Sequence, residues 1–215
     1  MTAPRLVPVP RRVAAAVMVA VAAVALSACD PKQAGSAAVV GGVRITETSV
    51  NADAEAVLAA FRAAGMTPPD TQTLLRTLVD RAVDNEIVEA AGLQAGIVVT
   101  QGEIDKLISD NGGRAALSAS FATRDGLWLP PGQIDELART SLIQLALGNK
   151  LVPSGASTAA DAAVSAYNIR VAAKLGVAVS PRYGKWSKVS LQITGDLNDL
   201  SQPAPNAAAT ASPAG

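Results

Sequence analysis

The most regular hydrophobic pattern of the chain lies between Asp70 and Gly96, where apolar residues recur at helical spacing. Two adjacent rows of them would cover one wide face of a helix, while charged residues fall largely on the other face. The apolar rows are Leu75, Val79, Val83 and Ile87, and Leu74, Leu78 and Ala82. Gly92 and Gly96 are expected to end the helix. Because so wide an apolar face is unstable in water, other segments must pack on it, and we expect the domain to be organised around this helix.

Capping residues and glycines predict further helices before and after the long one. Thr46 is expected to start a helix that Gly65 ends, and Thr100 with Glu103 has the spacing of a capping box that starts another. Three more helices are predicted after the break at Asn111-Gly112-Gly113. They begin near Arg114, after Pro130-Pro131 and near Ser157, and the inner face predicted for the second of them consists of Ile134, Leu137, Leu142 and Leu145.

Strand-forming residues occur only at the two ends of the folded part. The first segment covers residues 37–45, with a turn or bulge at Gly41-Gly42, and the second covers residues 177–193. A lone strand is not stable in water, so we expect the two segments to pair with each other. The predicted fold class is therefore mostly α. Residues 37–195 form a single helical domain, closed by a small two-stranded sheet that its N- and C-terminal segments build together.

The start of the chain has the pattern of an export signal. Three arginines precede an uncharged apolar run, residues 13–26, which is too short to span a bilayer comfortably. The following Leu26-Ser27-Ala28-Cys29 resembles the lipobox of bacterial lipoproteins, in which the cysteine is acylated and becomes the new N-terminus. The alternative is an ordinary secretory signal with a chance cysteine. We expect residues 1–28 to be a signal peptide and lipidated Cys29 to anchor the protein in the bilayer, on the extracytoplasmic face of the cell membrane.

Two polar segments are expected to flank the domain. The mature chain, without the signal peptide, is expected to be mildly acidic. Residues 29–36 are interpreted as a tether, and residues 196–215, rich in Pro, Ala and Ser without periodicity, as a disordered tail. Removing the three arginines of the signal from the 18 basic residues leaves 15 against 18 acidic ones. No basic patch therefore indicates a nucleic-acid partner.

The residue types that usually carry catalysis are scarce. The chain has no histidine, and its one cysteine is Cys29, so the commonest general base, thiol catalysis and a zinc site are all disfavoured. No glycine pair has the spacing of a phosphate-binding loop. Four carboxylates of the long helix could form a site, but we interpret them as its solvated face: Asp80, Asp84, Glu86 and Glu89. The sequence predicts no enzyme, no cofactor and no metal site.

Three stretches resemble the N-terminal domain of the SurA family of periplasmic chaperones. They are residues 39–45 (VVGGVRI), residues 74–79 (LLRTLV) and residues 91–104 (AGLQAGIVVTQGEI). The resemblance covers roughly residues 37–151 and is most specific at residues 91–104, while residues 180–186 resemble the end of short actinobacterial lipoproteins of the same group. Many relatives insert a parvulin isomerase domain before the final helix, whereas here only residues 153–156 separate the helices.

The resemblance implies polypeptide binding without isomerase activity, in a helical cradle with an apolar crevice. The candidate lining is a helix end with the loop after it, namely Phe121, Leu127, Trp128 and Leu129. Trp128 could instead be a core residue, as could Tyr183 and Trp186. The predicted function is a membrane-anchored, chaperone-like protein that binds unfolded or extended polypeptides. The alternative is a structural or adaptor lipoprotein that binds one folded partner in an envelope complex. A long open groove would favour the first function, and a flat patch the second.

Overall fold

A computed structural model of the protein describes residues 35–153 and 157–195. The predicted signal peptide, Cys29, most of the tether and the C-terminal tail lie outside the described residues. The predicted fold class is confirmed, because helices dominate and the strands lie at the two ends of the domain. The first strand begins at Ser36, so the end of the predicted tether belongs to the sheet.

The two ends of the domain meet in one antiparallel sheet with the strand order β2-β1-β3. Strand β1 (Ser36–Val40) pairs with β2 (Val43–Thr46) and with β3 (Val177–Val179), so the predicted terminal pairing is present and a third strand joins it. Gly41 and Gly42 connect β1 to β2 with φ of 57° and 91°. Glycine adopts these positive φ values without steric cost, which permits the two-residue turn of a tight hairpin.

The main core lies between this sheet and the first two helices. Helix α1 (Glu47–Ala63) begins at the predicted N-cap Thr46, and α2 (Thr71–Ala95) is the predicted long helix, capped by Asp70 and ended by Gly96 in the left-handed conformation. Gly92 does not end α2, contrary to the prediction. It lies inside the helix, and a Cβ there would come within 2.8 Å of Ile143 Cγ2. The glycine therefore permits a close helix–helix contact.

Two short helices and a loop form a second apolar cluster. Helix α3 (Gln101–Asp110) begins with the predicted capping box, and α4 (Arg114–Ala122) follows the glycine break. The loop after α4 leads to a 3₁₀ turn at Pro131–Gln133 and into the next helix. The buried members of this cluster are Ile104, Ile108, Leu129, Ile134 and Ala138.

The last two helices pack on the C-terminal half of α2. Helices α5 (Ile134–Leu151) and α6 (Ser157–Leu175) meet α2 in a third cluster of Ala91, Leu147 and Val171. The prediction that Leu145 belongs to the inner face of α5 is wrong, because its side chain is 62% exposed. Leu145 is two residues from both Ile143 and Leu147, which are buried. Two residues along a helix are a rotation of roughly 200°, so Leu145 points away from them.

The segment after β3 folds back instead of remaining extended as predicted. A 3₁₀ turn at Pro181–Tyr183 leads into β4 (Lys185–Ser187), which pairs antiparallel with β5 (Gln192–Thr194) in a separate sheet. Tyr183 and Ile193 are buried in the main core, and Trp186 packs against it, as the sequence suggested for both aromatic residues. Two polar groups of α2 hold this segment: Arg76 Nε donates to the Tyr183 carbonyl at 3.1 Å, and Asp80 Oδ1 accepts from the Ile193 amide at 2.8 Å.

Candidate functional site

The candidate site is an open cleft between α2, α5 and α6. It has a volume of about 1060 Å³, and two loops, residues 126–129 and residues 190–192, contribute to its wall. Each of the three helices presents one face to it, at the same i, i+3, i+4, i+7, i+8 spacing. The contributing positions are 77, 80, 81, 84 and 85 in α2; 137, 140, 141, 144, 145, 148 and 149 in α5; and 157, 160, 161, 164, 165 and 168 in α6.

The faces of α5 and α6 are mostly small or uncharged. Thr140, Ser141 and Gln144 lie on the α5 face, and the Thr140 and Ser141 hydroxyls donate to carbonyls one turn earlier in their own helix. Their oxygens can still accept hydrogen bonds from another molecule. A Cβ on Gly148 would lie 3.4 Å from Ala160 Cβ, so the absence of a side chain there allows α5 and α6 to approach each other at one end of the cleft.

The four α2 carboxylates interpreted as a solvated face are all only partly exposed, and Asp80 and Asp84 differ from Glu86 and Glu89 in that they line the cleft. Burial raises the pKa of Asp80, against the opposing effects of the Ile193 amide and the charge of Arg76. Burial also raises the pKa of Asp84, and the negative charge of Asp80 one turn earlier raises it further. This polar helix face is therefore partly desolvated in a cleft whose walls also include α5, α6 and two loops.

Arg81 is the only cation among the described residues that line the cleft, and it belongs to a network of polar groups. Arg81 donates to the Trp128 carbonyl at 3.3 Å. Burial lowers the pKa of its guanidinium, and the nearby carboxylates Asp53 and Glu136 oppose that shift. Asn85 Nδ2 donates to Glu136 at 2.6 Å. Arg81 is thus engaged by this network, which ties α1, α2, α5 and the 126–129 loop together.

Asn168 is an unusual member of the wall formed by α6. It is only 6% exposed, and its Oδ1 atom has no hydrogen-bond donor among the described residues. Buried side-chain oxygens are normally paired, because an unpaired one loses its hydration without compensation. The cleft therefore contains an acceptor that the described part of the protein does not satisfy.

The structure separates the four residues predicted to line a binding groove. Leu127 and Leu129 belong to the wall of the cleft, although Leu129 is only 1% exposed. Trp128 is 8% exposed and packs in the main core, which matches the alternative considered for it. Phe121 packs against the second cluster and is not part of the cleft wall.

Sequence reasoning missed most of the cleft, although one signal was present. The exposed faces of α5 and α6 have few of the Lys and Glu side chains that usually cover a solvated helix. They carry serine, threonine, glutamine, asparagine and glycine instead. A low charge density on otherwise exposed helix faces could have indicated a concave or contacted surface.

No family model matches the chain, and no curated protein or solved structure shows significant similarity to it. The resemblance to the SurA family therefore stays a prediction drawn from sequence motifs. Within residues 35–153 and 157–195, no helix combines the length and apolarity that crossing a bilayer requires. The same residues contain no group of three or more His, Cys, Asp or Glu side chains arranged to hold a metal ion.

Replacing Asp84 by asparagine is expected to raise the free energy of unfolding at pH 7 by about 1 kcal/mol. An unsatisfied polar group costs roughly 1–3 kcal/mol and a charged one costs more, so removing the charge removes part of the cost. Burial raises the pKa of Asp84 above its ordinary value of 3.8, so the folded state binds the proton more tightly than the unfolded state. The destabilisation is therefore absent below pH 3.8 and develops as the pH rises through the folded-state pKa.

Urea unfolding of the full chain at pH 7, 5 and 4, followed by circular dichroism, measures this effect. The gain from Asp84→Asn should shrink toward pH 4. The exposed Asp125 lies outside the cleft, and Asp125→Asn should change the free energy of unfolding by less than about 0.5 kcal/mol at each pH. A loss of stability for Asp84→Asn at pH 7 would mean that the carboxylate has a stabilising partner.

Proposed function

We propose that the protein is a membrane-anchored, extracytoplasmic, chaperone-like binder of unfolded or extended polypeptides, without isomerase activity. The observation that carries the proposal is the cleft between α2, α5 and α6. It is an open, concave surface lined by three helices, and a concave surface suits a bound chain better than a flat patch does.

The dimensions of the cleft suit a short stretch of extended chain. Its α5 face runs from Leu137 to Asn149, which is roughly 18 Å at 1.5 Å per residue. An extended polypeptide rises about 3.3 Å per residue, so about five residues would fit along this face. A five-residue segment is short enough to occur in an exposed conformation in almost any unfolded protein.

The lining supports binding of main chain as well as side chains. Apolar residues are mixed with uncharged polar and charged ones along the walls, so the cleft is less apolar than the crevice that the resemblance implied. The apolar members are Leu127, Leu129, Leu137, Leu145, Val152, Pro153, Ala160, Val164 and Leu191. Peptide N–H and C=O groups lose hydration when they bind, and the hydroxyl and amide groups of the lining can replace those hydrogen bonds.

Two exposed leucines offer a matched test of this proposal. Leu145 is 62% exposed and lies in the cleft, whereas Leu93 is 82% exposed and lies outside it. Burying a leucine side chain contributes about 1.5–3 kcal/mol. Leu145→Ser should therefore weaken binding of a permanently unfolded, alkylated model protein about tenfold, and Leu93→Ser should change it by less than about twofold.

Binding is measured by fluorescence anisotropy, with the full chain in lipid nanodiscs. The absence of binding to the unfolded protein at micromolar concentration would contradict the proposal. So would equal effects of the two serine variants. Recovery of a single folded partner by crosslinking in cells, without affinity for unfolded chains, would favour the adaptor alternative.

A further inference from the structure

We propose that the cleft holds a basic side chain of the bound polypeptide, arginine or lysine, with Asp84 as its ion-pair partner and with Asp80 and Asn168 as further hydrogen-bond acceptors. This inference rests on the proposed function and specifies what the polypeptide must contain. Three observations carry it: the unused acceptors, the charge of the lining and the buried oxygen of Asn168.

The carboxylate of Asp84 has no partner of opposite charge. Among the described residues it forms no hydrogen bond and no ion pair, and the electrostatic neighbour that acts on it is Asp80, which carries the same charge. Asp80 uses one oxygen for the Ile193 amide and interacts with Arg76. Two carboxylates one helical turn apart repel each other unless a cation lies between them.

The charge of the lining favours a cation. The charged residues among the described lining are three carboxylates and one guanidinium, Asp80, Asp84, Asp161 and Arg81, with a formal sum of −2. Arg81 is engaged by the Trp128 carbonyl and lies near Asp53 and Glu136. A partly desolvated negative cleft strengthens attraction to a positive group, because the surrounding dielectric constant is lower than that of water.

Asn168 adds an uncharged hydrogen-bond acceptor. Its Oδ1 is buried, lies in a residue of the cleft wall and lacks a donor among the described residues. A ligand group that reached these acceptors would need several N–H donors and a positive charge. The guanidinium of arginine has five such donors and the ammonium of lysine has three, whereas neutral side chains do not combine both properties.

The stability of the free protein is a further argument for a cationic ligand. An unpaired carboxylate in a partly buried position is expected to destabilise the free protein, and an asparagine of the same shape, which carries no charge, is expected to reduce that cost. Groups that lower stability while remaining open to a cleft are typical of binding sites, where the ligand supplies the missing partner.

The test compares two fluorescent peptides of identical length and sequence that differ at one central residue, arginine or its neutral isostere citrulline. Binding to the full chain in nanodiscs is measured by anisotropy at low and at high salt. The arginine peptide should bind about tenfold more tightly at low salt, and the difference should decrease at high salt because ions screen the pair. Asp84→Asn should abolish most of that difference and leave citrulline binding within about twofold.

The matched control is Glu55→Gln, which removes one negative charge from an exposed position of α1 outside the cleft. It should preserve the preference for arginine. Equal binding of the two peptides to the unmodified protein would overturn this inference and leave the proposed function standing. No binding of either peptide would overturn both. If free arginine amide bound as tightly as the arginine peptide, the site would recognise a free cation, and its assignment to a polypeptide would be wrong.

Discussion

Replacing Trp128 by alanine is expected to lower the free energy of unfolding by about 3–5 kcal/mol, the usual cost of removing a buried aromatic side chain. Trp128 is 8% exposed and belongs to the main core, together with residues of α1 and α2. Small domains have a total stability of roughly 5–15 kcal/mol, so this loss is a large fraction of the whole. Urea unfolding of the full chain, followed by circular dichroism at 222 nm, measures it.

Two further variants separate a role in the core from a role in binding. Trp128→Phe keeps most of the buried apolar surface and should cost less than the alanine variant, while binding an unfolded protein within about twofold of the unmodified chain. Leu93→Ala, at a highly exposed position, should change stability by less than about 0.5 kcal/mol. Normal stability combined with lost binding in Trp128→Ala would contradict the core position and would favour the groove-lining role expected from the sequence.

Replacing Gly184 by alanine is expected to destabilise the protein by about 3 kcal/mol or more. The residue has φ of 123° and ψ of −157°, a conformation that is almost restricted to glycine and costs other residues roughly 1–3 kcal/mol. A Cβ there would also come within 2.7 Å of the Thr194 carbonyl oxygen and 2.9 Å of Ile193 Cγ2. The oxygen belongs to the backbone of β5 and cannot rotate away, so the hairpin of β4 and β5 must shift. Thermal and urea unfolding measure the loss.

Gly42→Ala is the matched control for backbone strain without a clash. Gly42 has φ of 91°, and an added Cβ would meet no heavy atom within 4 Å. It should cost about 1–2 kcal/mol, since alanine in a left-handed conformation is disfavoured by that amount. If Gly184→Ala were no more destabilising than Gly42→Ala, the close approach between β4 and β5 would not exist in solution.

The elements predicted correctly are those whose signals are local. The capping box at Thr100 and Glu103 joins groups three residues apart, and the left-handed Gly96 ends α2 through its own backbone conformation. The periodic leucines and valines of α2 indicated its buried face, because a helix rotates each residue by a constant angle. The pairing of the two terminal segments followed from a general requirement, namely that a single strand needs a partner.

The errors occurred where a residue's surroundings depend on distant segments. Leu145 has the same side chain as the buried Leu147, but it lies on the opposite side of α5. Glycine is common at helix ends, yet Gly92 lies within α2. Its missing side chain leaves room for Ile143 of α5, which is distant in the sequence. The hairpin of β4 and β5 also depends on distant contacts, since Asp80, 113 residues earlier in the chain, accepts from the Ile193 amide.

Local sequence was sufficient for the helices, their caps and the sheet that joins the two ends, because neighbouring residues supply those interactions. The cleft required the assembled fold. Asp80 and Asp84 are polar in any context, but they are partly removed from water in a cleft whose other walls come from segments 40 or more residues further along the chain. Burial and charge depend on distances in space, so whether a helix face is solvated or lines a binding site follows only from the packing of helices around it.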